Sequence, residues 1–226
     1  SRNEGPKDNF LQKVRDLATS RNIVLVFDEC TSGFRETFGG IYKKYDVEPD
    51  MAMYGKTIGN GYALTAVVGK RFVMEAAQKT FISSTFWTER IGPTAALATL
   101  KVMEQTKSWE TITEQGKKMQ NGWSDLAKKH EIDITINGIP SLSTYSFNSD
   151  HGLEYKTFVT QEMLKKGFLA STNFYACTAH TDDKIAAYFD ALDDVYHTIS
   201  QCEKGNKIIS ELLEGPVCHS GFKRLN

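Results

Sequence analysis

The sequence predicts an α/β fold with a mostly parallel sheet, followed by a smaller α+β region. A continuous apolar run, IVLVF at 23–27, has the composition of a strand buried on both faces. Helical patterns flank this run and a later strand-like segment, an alternation typical of α/β proteins. From about residue 108 the pattern changes to longer helices and neighbouring strands, so we expect two regions, 1–107 and 108–226.

The first region is predicted to contain three helices and three strands. Apolar residues at 10, 11, 14 and 17 recur at the spacing of an amphipathic helix, and Asp8 or Asn9 could cap its start. The strand at 23–27 ends at Asp28, and polar residues at such strand ends usually face the ligand crevice. The expected elements are a helix over 8–20, strands over 23–27, 51–54 and 63–69, and helices over 72–78 and 91–106.

The second region is predicted to combine long helices with short strands. A helical stretch runs from about 108 towards Lys129, and the segments IDITIN and SLSTYSFN have strand patterns joined by GIP. A helix over 155–166, a short strand FLAS at 168–171 and a helix over 182–199 follow. The tail EGPVCHSGFKRLN is expected to be coil without a core of its own.

Composition and charge argue against several classes of function. The net charge of -1 predicts no electrostatic attraction to nucleic acid or to an anionic membrane. No apolar run approaches the roughly 18–20 residues of a membrane helix, and the N-terminal segment lacks the apolar core of a signal peptide. The four cysteines and five histidines are dispersed, so we expect reduced thiols in a cytoplasmic protein and no metal site.

Lys56 lies among glycines in the segment MAMYGKTIGNG at 51–61, and three roles are open to it. It could belong to a phosphate-binding loop, bond covalently to a carbonyl cofactor, or be solvated. The phosphate-loop signature requires a glycine five residues before Gly55, where the chain has Asp50, and that loop should precede the acidic strand. A solvated loop lysine is the ordinary case, so the neighbouring residues must decide between the two remaining roles.

The neighbours of Lys56 favour a site for pyridoxal phosphate (PLP). Asp28 ends the preceding strand, the glycines around Lys56 remove side-chain bulk, and hydroxyl residues cluster in SSTF at 83–86. A lysine amine forms a Schiff base with the aldehyde of this cofactor and then moves protons at the substrate's α-carbon. A buried carboxylate keeps the pyridine nitrogen protonated, so that the ring accepts electrons, and hydroxyl groups hold the phosphate.

Several motifs in order make a family resemblance specific. LVFDECTSGFR followed by YGKTIGNGYALTAVVGK resembles the signature of the class III (fold type I) aminotransferases, most closely their glutamate-1-semialdehyde 2,1-aminomutase branch. SSTFWTERIGPTAALATL and FYACTAHTDDKIAAYFDAL resemble two later family segments, so the match covers about 10–200. The resemblance implies that 1–107 is part of a PLP-binding large α/β domain and that 108–226 is a small C-terminal α+β domain.

The resemblance also implies roles for residues near the two signature segments. Asp28 would pair with the pyridine nitrogen, and Lys56 would be the Schiff-base lysine. Cys30 falls where the family usually has a valine against the cofactor ring, so we expect packing there rather than redox chemistry. Thr31 falls where many members have Gln or Met near the cofactor's phenolic oxygen, which a hydroxyl could also reach.

A second group of candidates lies in the hydroxyl cluster. Thr85 resembles the threonine that grips the cofactor phosphate from the neighbouring subunit, which implies a homodimer with shared active sites, and Ser84 is a further cofactor-binding candidate. The segment TFWTERIGP departs from the commoner TxxGNP pattern, so the substrate contacts beside Thr85 are not carried over. Two roles stay open for Glu29, Arg35 and Glu89, namely a local ion pair or solvated charge and a substrate contact, whereas a helix-start role beside Thr181 is favoured for His180.

Members of the family are nearly twice as long as this chain, and their phosphate loop and ring-stacking aromatic lie upstream of the matching region. We therefore expect the chain to be the C-terminal portion of such an enzyme. On its own it is expected to have little or no transaminase activity and to associate through an exposed sheet edge.

The predicted function is PLP-dependent transfer of an amino group between a small-molecule donor and a carbonyl acceptor, through Lys56. Decarboxylation and racemisation use the same cofactor and differ in which α-carbon bond is perpendicular to the ring. A non-catalytic relative that serves as a binding or assembly module is the alternative from another class. The substrate stays open among a semialdehyde, an ω-amino acid and a sugar-linked ketone.

Overall fold

The computed structural model describes residues 5–221, which form two compact units. The first unit is Gly5–Thr111, and the second comprises the described residues from Ile112 onward. The boundary expected from the sequence, between 107 and 108, lies four residues earlier in the chain.

The first unit contains a three-stranded sheet and three helices. Helix α1 is Phe10–Ser20, α2 is Arg71–Ala77 and α3 is Ile91–Thr106. The strands are β1 (Val26–Glu29), β2 (Met51–Tyr54) and β3 (Ala66–Gly69), with short 3-10 helices at Ile41–Tyr45 and Lys56–Ile58. The predicted elements are therefore all present, although β1 and β3 begin three residues later than the sequence indicates.

The sheet is mixed, so the expectation of a mostly parallel sheet is wrong for these strands. In the order β1-β2-β3, β1 pairs with β2 in parallel, whereas β2 pairs with β3 antiparallel. The reason lies in the connections. A parallel pair requires a crossover of a dozen or more residues, and 30–50 supplies it between β1 and β2. The shorter connection after β2 contains only one 3-10 turn, so β3 returns antiparallel.

The apolar run at 23–27 is not buried on both faces, contrary to its composition. Ile23 is 57% exposed, and Val24 and Val26 are also exposed. Strand β1 is an edge of the described sheet, with a neighbour on one side only. Its apolar side chains are therefore uncovered by the residues of this unit, and the run marks a surface that remains open to further packing.

Asp50 joins three elements of the first unit. Its side chain is buried and accepts hydrogen bonds from the Arg15 guanidinium on α1 (2.9 Å) and the Leu25 backbone N–H (2.9 Å). The Lys70 ammonium lies 3.4 Å from the other carboxylate oxygen of Asp50.

Helix α1 has no side-chain cap at its start. Asn9 occupies the N-cap position, but its backbone is left-handed (φ 56°) and its side chain makes no capping hydrogen bond.

The second unit packs its helices against an antiparallel sheet. Helix α4 begins in the first unit and spans Ser108–His130, and it is followed by α5 (Gly152–Lys165), α6 (Asp182–Glu203) and the short α7 (Ile209–Leu212). The strands β4 (Ile134–Asn137), β5 (Leu142–Phe147) and β6 (Asn173–Tyr175) pair in the order β4-β5-β6. The largest fully buried side chains of its core are Trp123, Tyr155, Met163, Leu192, Tyr196 and Ile199.

The predicted strand FLAS at 168–171 is wrong, since the strand lies at Asn173–Tyr175 instead. The backbone of Phe168 donates to the Met163 carbonyl (2.9 Å), and Ala170 donates to Phe168 (2.9 Å). This segment therefore closes the end of α5 and is not available to β5 as a partner. Leu169 is consequently almost fully exposed.

The described part of the tail predicted to be coil, 214–221, contains no helix or strand, and the segment just before it contributes to the core. Ile209 in α7 is buried in the second unit, and the backbone N–H of Cys218 donates to the Thr157 hydroxyl (3.0 Å). The end of the predicted tail, 222–226, lies outside the described residues. Within 5–221, no helix is both long and apolar enough to cross a membrane.

Candidate active site

The parallel pairing of β1 and β2 brings the two signature segments together. In this register Asp28 lies opposite Met53, and Glu29 lies opposite Tyr54. Parallel strands end at the same edge of a sheet, so the residues that follow β1 and β2 emerge side by side. Lys56 is the second residue after β2, and it therefore faces the segment that begins at Cys30.

The amine of Lys56 contacts both residues that follow β1. Its Nζ donates a hydrogen bond to the Thr31 hydroxyl at 2.5 Å and lies 3.9 Å from the Cys30 sulfur. The Lys56 backbone is left-handed, with φ of 42°. Such a conformation costs roughly 1–3 kcal/mol for a residue other than glycine, so the surrounding structure must impose it.

Gly55 allows the two segments to approach closely. A Cβ atom at this position would lie 2.5 Å from the Cys30 sulfur, well inside van der Waals contact. The Gly55 backbone is extended (φ -158°), so the requirement here is space and not unusual torsion angles. The contact also explains the small side chain at Cys30, which packs against the Gly55 backbone.

Asp28 lies at the predicted edge of the sheet, but its carboxylate is exposed in this structure. Its Oδ1 accepts the Cys30 backbone N–H (3.0 Å), which tightens the turn after β1. The sequence led us to expect a buried carboxylate. The difference follows from the edge position of β1, because no described element of this unit covers Asp28.

Glu29 is a buried carboxylate whose contacts are local, which is one of the two roles that the sequence left open for it, although its burial was not expected. It is 2% exposed and accepts hydrogen bonds from the Ser32 hydroxyl (2.5 Å) and the Tyr42 backbone (3.2 Å). Glu29 thus connects the end of β1 to two points of the 30–50 crossover loop. Successive side chains of a strand point to opposite faces, so the exposed Asp28 and the buried Glu29 are neighbours on one strand, and it was the choice of face that the sequence did not reveal. Burial, together with Tyr42 and the Glu29 charge, raises the pKa of Tyr54.

The hydroxyl cluster is not brought to Lys56 within the described chain. Ser84 and Thr85 are exposed, and the Ser84 hydroxyl accepts the Phe86 backbone N–H (3.2 Å). Their segment also exposes large apolar side chains, among which Phe81 is 96% exposed. The Lys56 amine hydrogen-bonds Thr31 and Cys30 only, among residues 5–221.

The remaining polar candidates make local contacts. Glu89 accepts hydrogen bonds from the Ile91 and Gly92 backbone N–H groups (3.1 Å for Gly92) and so caps α3. The Arg35 guanidinium donates to the Thr31 carbonyl (2.8 Å).

His180 accepts the Cys177 backbone N–H on Nδ1 (3.0 Å), in the turn before α6. Thr181 stands at the N-cap position of that helix, and it makes no side-chain capping bond to the helix backbone. Across residues 5–221, no group of three or more His, Cys, Asp or Glu side chains could hold a metal ion.

Comparison with known proteins finds a family model and relatives that match most of this chain. The family model described as aminotransferase class-III matches residues 4–194. A 3-aminobutyryl-CoA aminotransferase from Cloacimonas acidaminovorans is 32% identical over 193 residues, covering 83% of this chain and 47% of the relative. A glutamate-1-semialdehyde 2,1-aminomutase 2 from Oceanobacillus iheyensis is 32% identical over 213 residues, covering 87% of this chain and 50% of the relative. The chain thus spans about half the length of these relatives.

Solved structures share the same fold. The FumI protein of Sphingopyxis sp. MTA144, in its PLP internal aldimine form, superposes with a TM-score of 0.83 at 22% identity, covering 94% of this chain and 52% of that one. An omega-transaminase from Sphaerobacter thermophilus gives a TM-score of 0.76 at 20% identity, covering 87% of this chain and 49% of that one. These likenesses support the α/β assignment made from the sequence.

Proposed function

Because this chain belongs to the class III aminotransferases, we propose that it is the lysine-bearing part of an enzyme that transfers amino groups with PLP, the family's cofactor. In this proposal Lys56 is the Schiff-base lysine. The transfer runs between a small-molecule amino donor and a carbonyl acceptor, which includes the aminomutase and aminotransferase reactions named for the relatives.

One observation supports this proposal more than any other. Lys56 holds a costly left-handed backbone at the carboxyl edge of two parallel strands, with its amine in contact with Thr31 and Cys30. The exposed Lys107 also has a left-handed backbone (φ 49°), so what distinguishes Lys56 is that its amine contacts both Thr31 and Cys30 across about 25 residues of sequence.

The donor set around Lys56 fits PLP. Asp28 would pair with the pyridine nitrogen, since only one of its carboxylate oxygens is used within the described chain. Cys30 offers a small apolar surface for the ring, and the Thr31 hydroxyl can donate to an oxygen on it. The bound cofactor supplies an electron sink for the bond broken at the substrate's α-carbon.

The amine of Lys56 has two tasks in the proposed reaction. It would hold the cofactor through its aldehyde, and as a free amine it would carry the proton that is removed from, and returned to, the substrate's α-carbon. A compact amine on a flexible stem suits both tasks, whereas an arginine would remain protonated. Thr31 and Cys30 hold this amine over the edge of the sheet, while Glu29 fixes the loop below them.

We further propose that the enzyme is a homodimer with shared active sites. Ser84 and Thr85 make no contact with Lys56 among the described residues, which agrees with a role for Thr85 at the neighbouring subunit's cofactor phosphate. The four cysteines are free thiols, which supports the proposed cytoplasmic location. Because the chain spans half of its relatives, we expect it to have little or no transaminase activity alone.

Borohydride trapping tests the role of Lys56. A protein of the relatives' length that contains this chain is incubated with PLP, reduced, digested and mapped by mass spectrometry. We expect one phosphopyridoxyl adduct, on Lys56, and its loss in Lys56→Ala. Lys70→Ala is the matched control, since Lys70 lies in the same unit but pairs with Asp50. No adduct, or adducts spread over surface lysines, would refute the proposal and favour a non-catalytic relative.

Hybrid dimers test the shared site. Lys56→Ala and Thr85→Ala subunits of the same long protein are expected to be inactive separately and to regain activity when they are co-expressed. Restoration requires that Thr85 of one subunit serve Lys56 of the other. Failure to restore activity in verified hybrid dimers would show that Thr85 does not act across the interface.

A further inference from the structure

The second unit contains a cavity of about 400 Å³ that no part of the proposed reaction uses. It lies between α4, α6, β6 and the segment that follows α5. Its walls are predominantly apolar and aromatic. They include Met119, Trp123, Phe168, Phe174, Ile185 and Tyr188. Its volume falls within the range of small-molecule sites, which typically have apolar walls and a few polar groups that orient the ligand.

Tyr188 lines this cavity, and its hydroxyl has a proton to donate. It accepts the indole N–H of Trp123 at 2.9 Å, and no described residue accepts its own proton. Burial raises the pKa of Tyr188 to about 12, although the Trp123 hydrogen bond acts in the opposite direction. The hydroxyl is therefore protonated at neutral pH and retains one unused donor.

His180 also lines the cavity and carries a second donor. Its Nδ1 accepts the Cys177 backbone N–H, so in the neutral ring the proton resides on Nε2. Burial and then the nearby Lys184 charge lower the pKa of His180 below its ordinary value. The neutral tautomer consequently prevails at physiological pH and offers an N–H group.

Lys184 supplies the only formal charge among the residues that line this cavity. Its ammonium donates one hydrogen bond to the Ala179 carbonyl (2.8 Å) and keeps two further donors. The lining includes no carboxylate. The polar side chains that line the cavity are thus the exposed cation Lys184, the neutral donors His180 and Tyr188, and the hydroxyl and amide of Ser171 and Asn173. The net positive charge of this set suits an acceptor with negative charge.

We propose that this cavity binds a small organic acid with an apolar body, of about single-ring size, and one carboxylate. The aromatic walls would hold the body, and Lys184, His180 and Tyr188 would hold the carboxylate. The site belongs to the second unit alone and does not rest on the role proposed for Lys56.

Calorimetric titration of the 226-residue chain tests this site without any enzymatic readout. The probe is 4-phenylbutyrate, and 4-phenylbutyramide is its uncharged counterpart of nearly equal shape. We expect the acid to bind and the amide to bind at least roughly tenfold more weakly, because a charge-assisted hydrogen bond is lost. Equal affinities would overturn the proposal and indicate an apolar surface that a protein segment covers.

Variants identify the residues responsible. Lys184→Gln should weaken 4-phenylbutyrate binding roughly tenfold, whereas Lys128→Gln, the same charge change on exposed α4 surface, should leave it unchanged. Ala170→Phe should fill the cavity and abolish binding while the circular dichroism spectrum and melting temperature remain near those of the parent. Absence of binding at millimolar acid, or equal effects of the two lysine changes, would refute the site.

Discussion

The Lys56 amine and the Thr31 hydroxyl form a hydrogen bond of 2.5 Å across 25 residues of sequence. This bond connects the second residue after β2 to the second residue after β1. It exists because β1 and β2 run in parallel, so that both segments leave the sheet at one edge.

Thr31→Val should reduce the yield of borohydride-trapped adduct on Lys56 in the long protein at limiting PLP. The Lys56 amine and the Thr31 hydroxyl are both exposed, so their hydrogen bond should contribute only about 0.5 kcal/mol. The yield of adduct should therefore fall about two- to threefold. Thr31→Ser keeps the hydroxyl and is the matched control. Equal yields for the valine and serine variants would show that the hydroxyl does not position the amine.

Gly55→Ala should destabilise the chain by about 1–3 kcal/mol, as overpacking usually does. The new Cβ would lie 2.5 Å from the Cys30 sulfur, whereas the extended backbone accepts alanine without strain. Urea denaturation measures the loss. Because the Cys30 sulfur is the only atom that a Cβ at position 55 would approach this closely, the double variant Gly55→Ala with Cys30→Ala should recover most of the lost stability. An additive loss in the double variant would place the cause elsewhere.

Asp50→Asn should lower the free energy of unfolding at pH 7 by about 2 kcal/mol, since Arg15 and Lys70 lose a charged acceptor. Burial alone would raise the pKa of Asp50, but the Leu25 N–H and Arg15 outweigh it, and the pKa is lowered.

The lowered pKa of Asp50 determines how its contribution to the free energy of unfolding changes with pH. A carboxyl with a depressed pKa stabilises the fold above its unfolded value of about 3.9, and this contribution disappears as the pH falls through the folded pKa. The difference between the parent and Asp50→Asn should therefore be complete at neutral pH and shrink in acid. Urea denaturation at a series of pH values checks this, and a pH-independent difference would contradict it.

Gly116→Ala and Gly122→Ala should have different effects although both lie in α4. A Cβ at 116 would lie 1.9 Å from the Pro140 carbonyl oxygen, which belongs to rigid backbone. At 122 it would meet the outer edge of the Phe189 ring, which can rotate away. We expect a loss of about 2–3 kcal/mol at 116.

At 122 we expect a change within about 1 kcal/mol of zero, because alanine also favours the helix by about that amount. Urea denaturation followed by circular dichroism compares the two variants. Similar losses of stability at both positions would mean that the Pro140 backbone can shift as easily as the Phe189 ring.

Local patterns in the sequence predicted most of the secondary structure. The helix expected over 91–106 is Ile91–Thr106, and the one expected over 8–20 is Phe10–Ser20. Periodicity along one helix depends on residues three or four apart, so it is readable without knowledge of the rest of the chain. The resemblance to class III aminotransferases, carried by the segments around Asp28 and Lys56, is likewise confirmed.

The errors concern strands. IVLVF has the composition of a buried strand but lies at an exposed edge, and FLAS closes the end of α5 although it resembles a strand. Whether a strand is covered, and which segment pairs with β5, depends on residues far away in sequence. Composition alone does not contain that information.

The sequence by itself determined the family, the helices and the candidacy of Lys56 and Asp28, because these depend on spacing along the chain. Only the tertiary structure decided that β3 runs antiparallel, that Glu29 is buried beneath the site, and that Lys56 contacts Thr31. The cavity beside Trp123 also arises only when α4 and α6 pack, across about 60 residues of sequence. Contacts between distant segments are set by packing, and packing exists only in the folded chain.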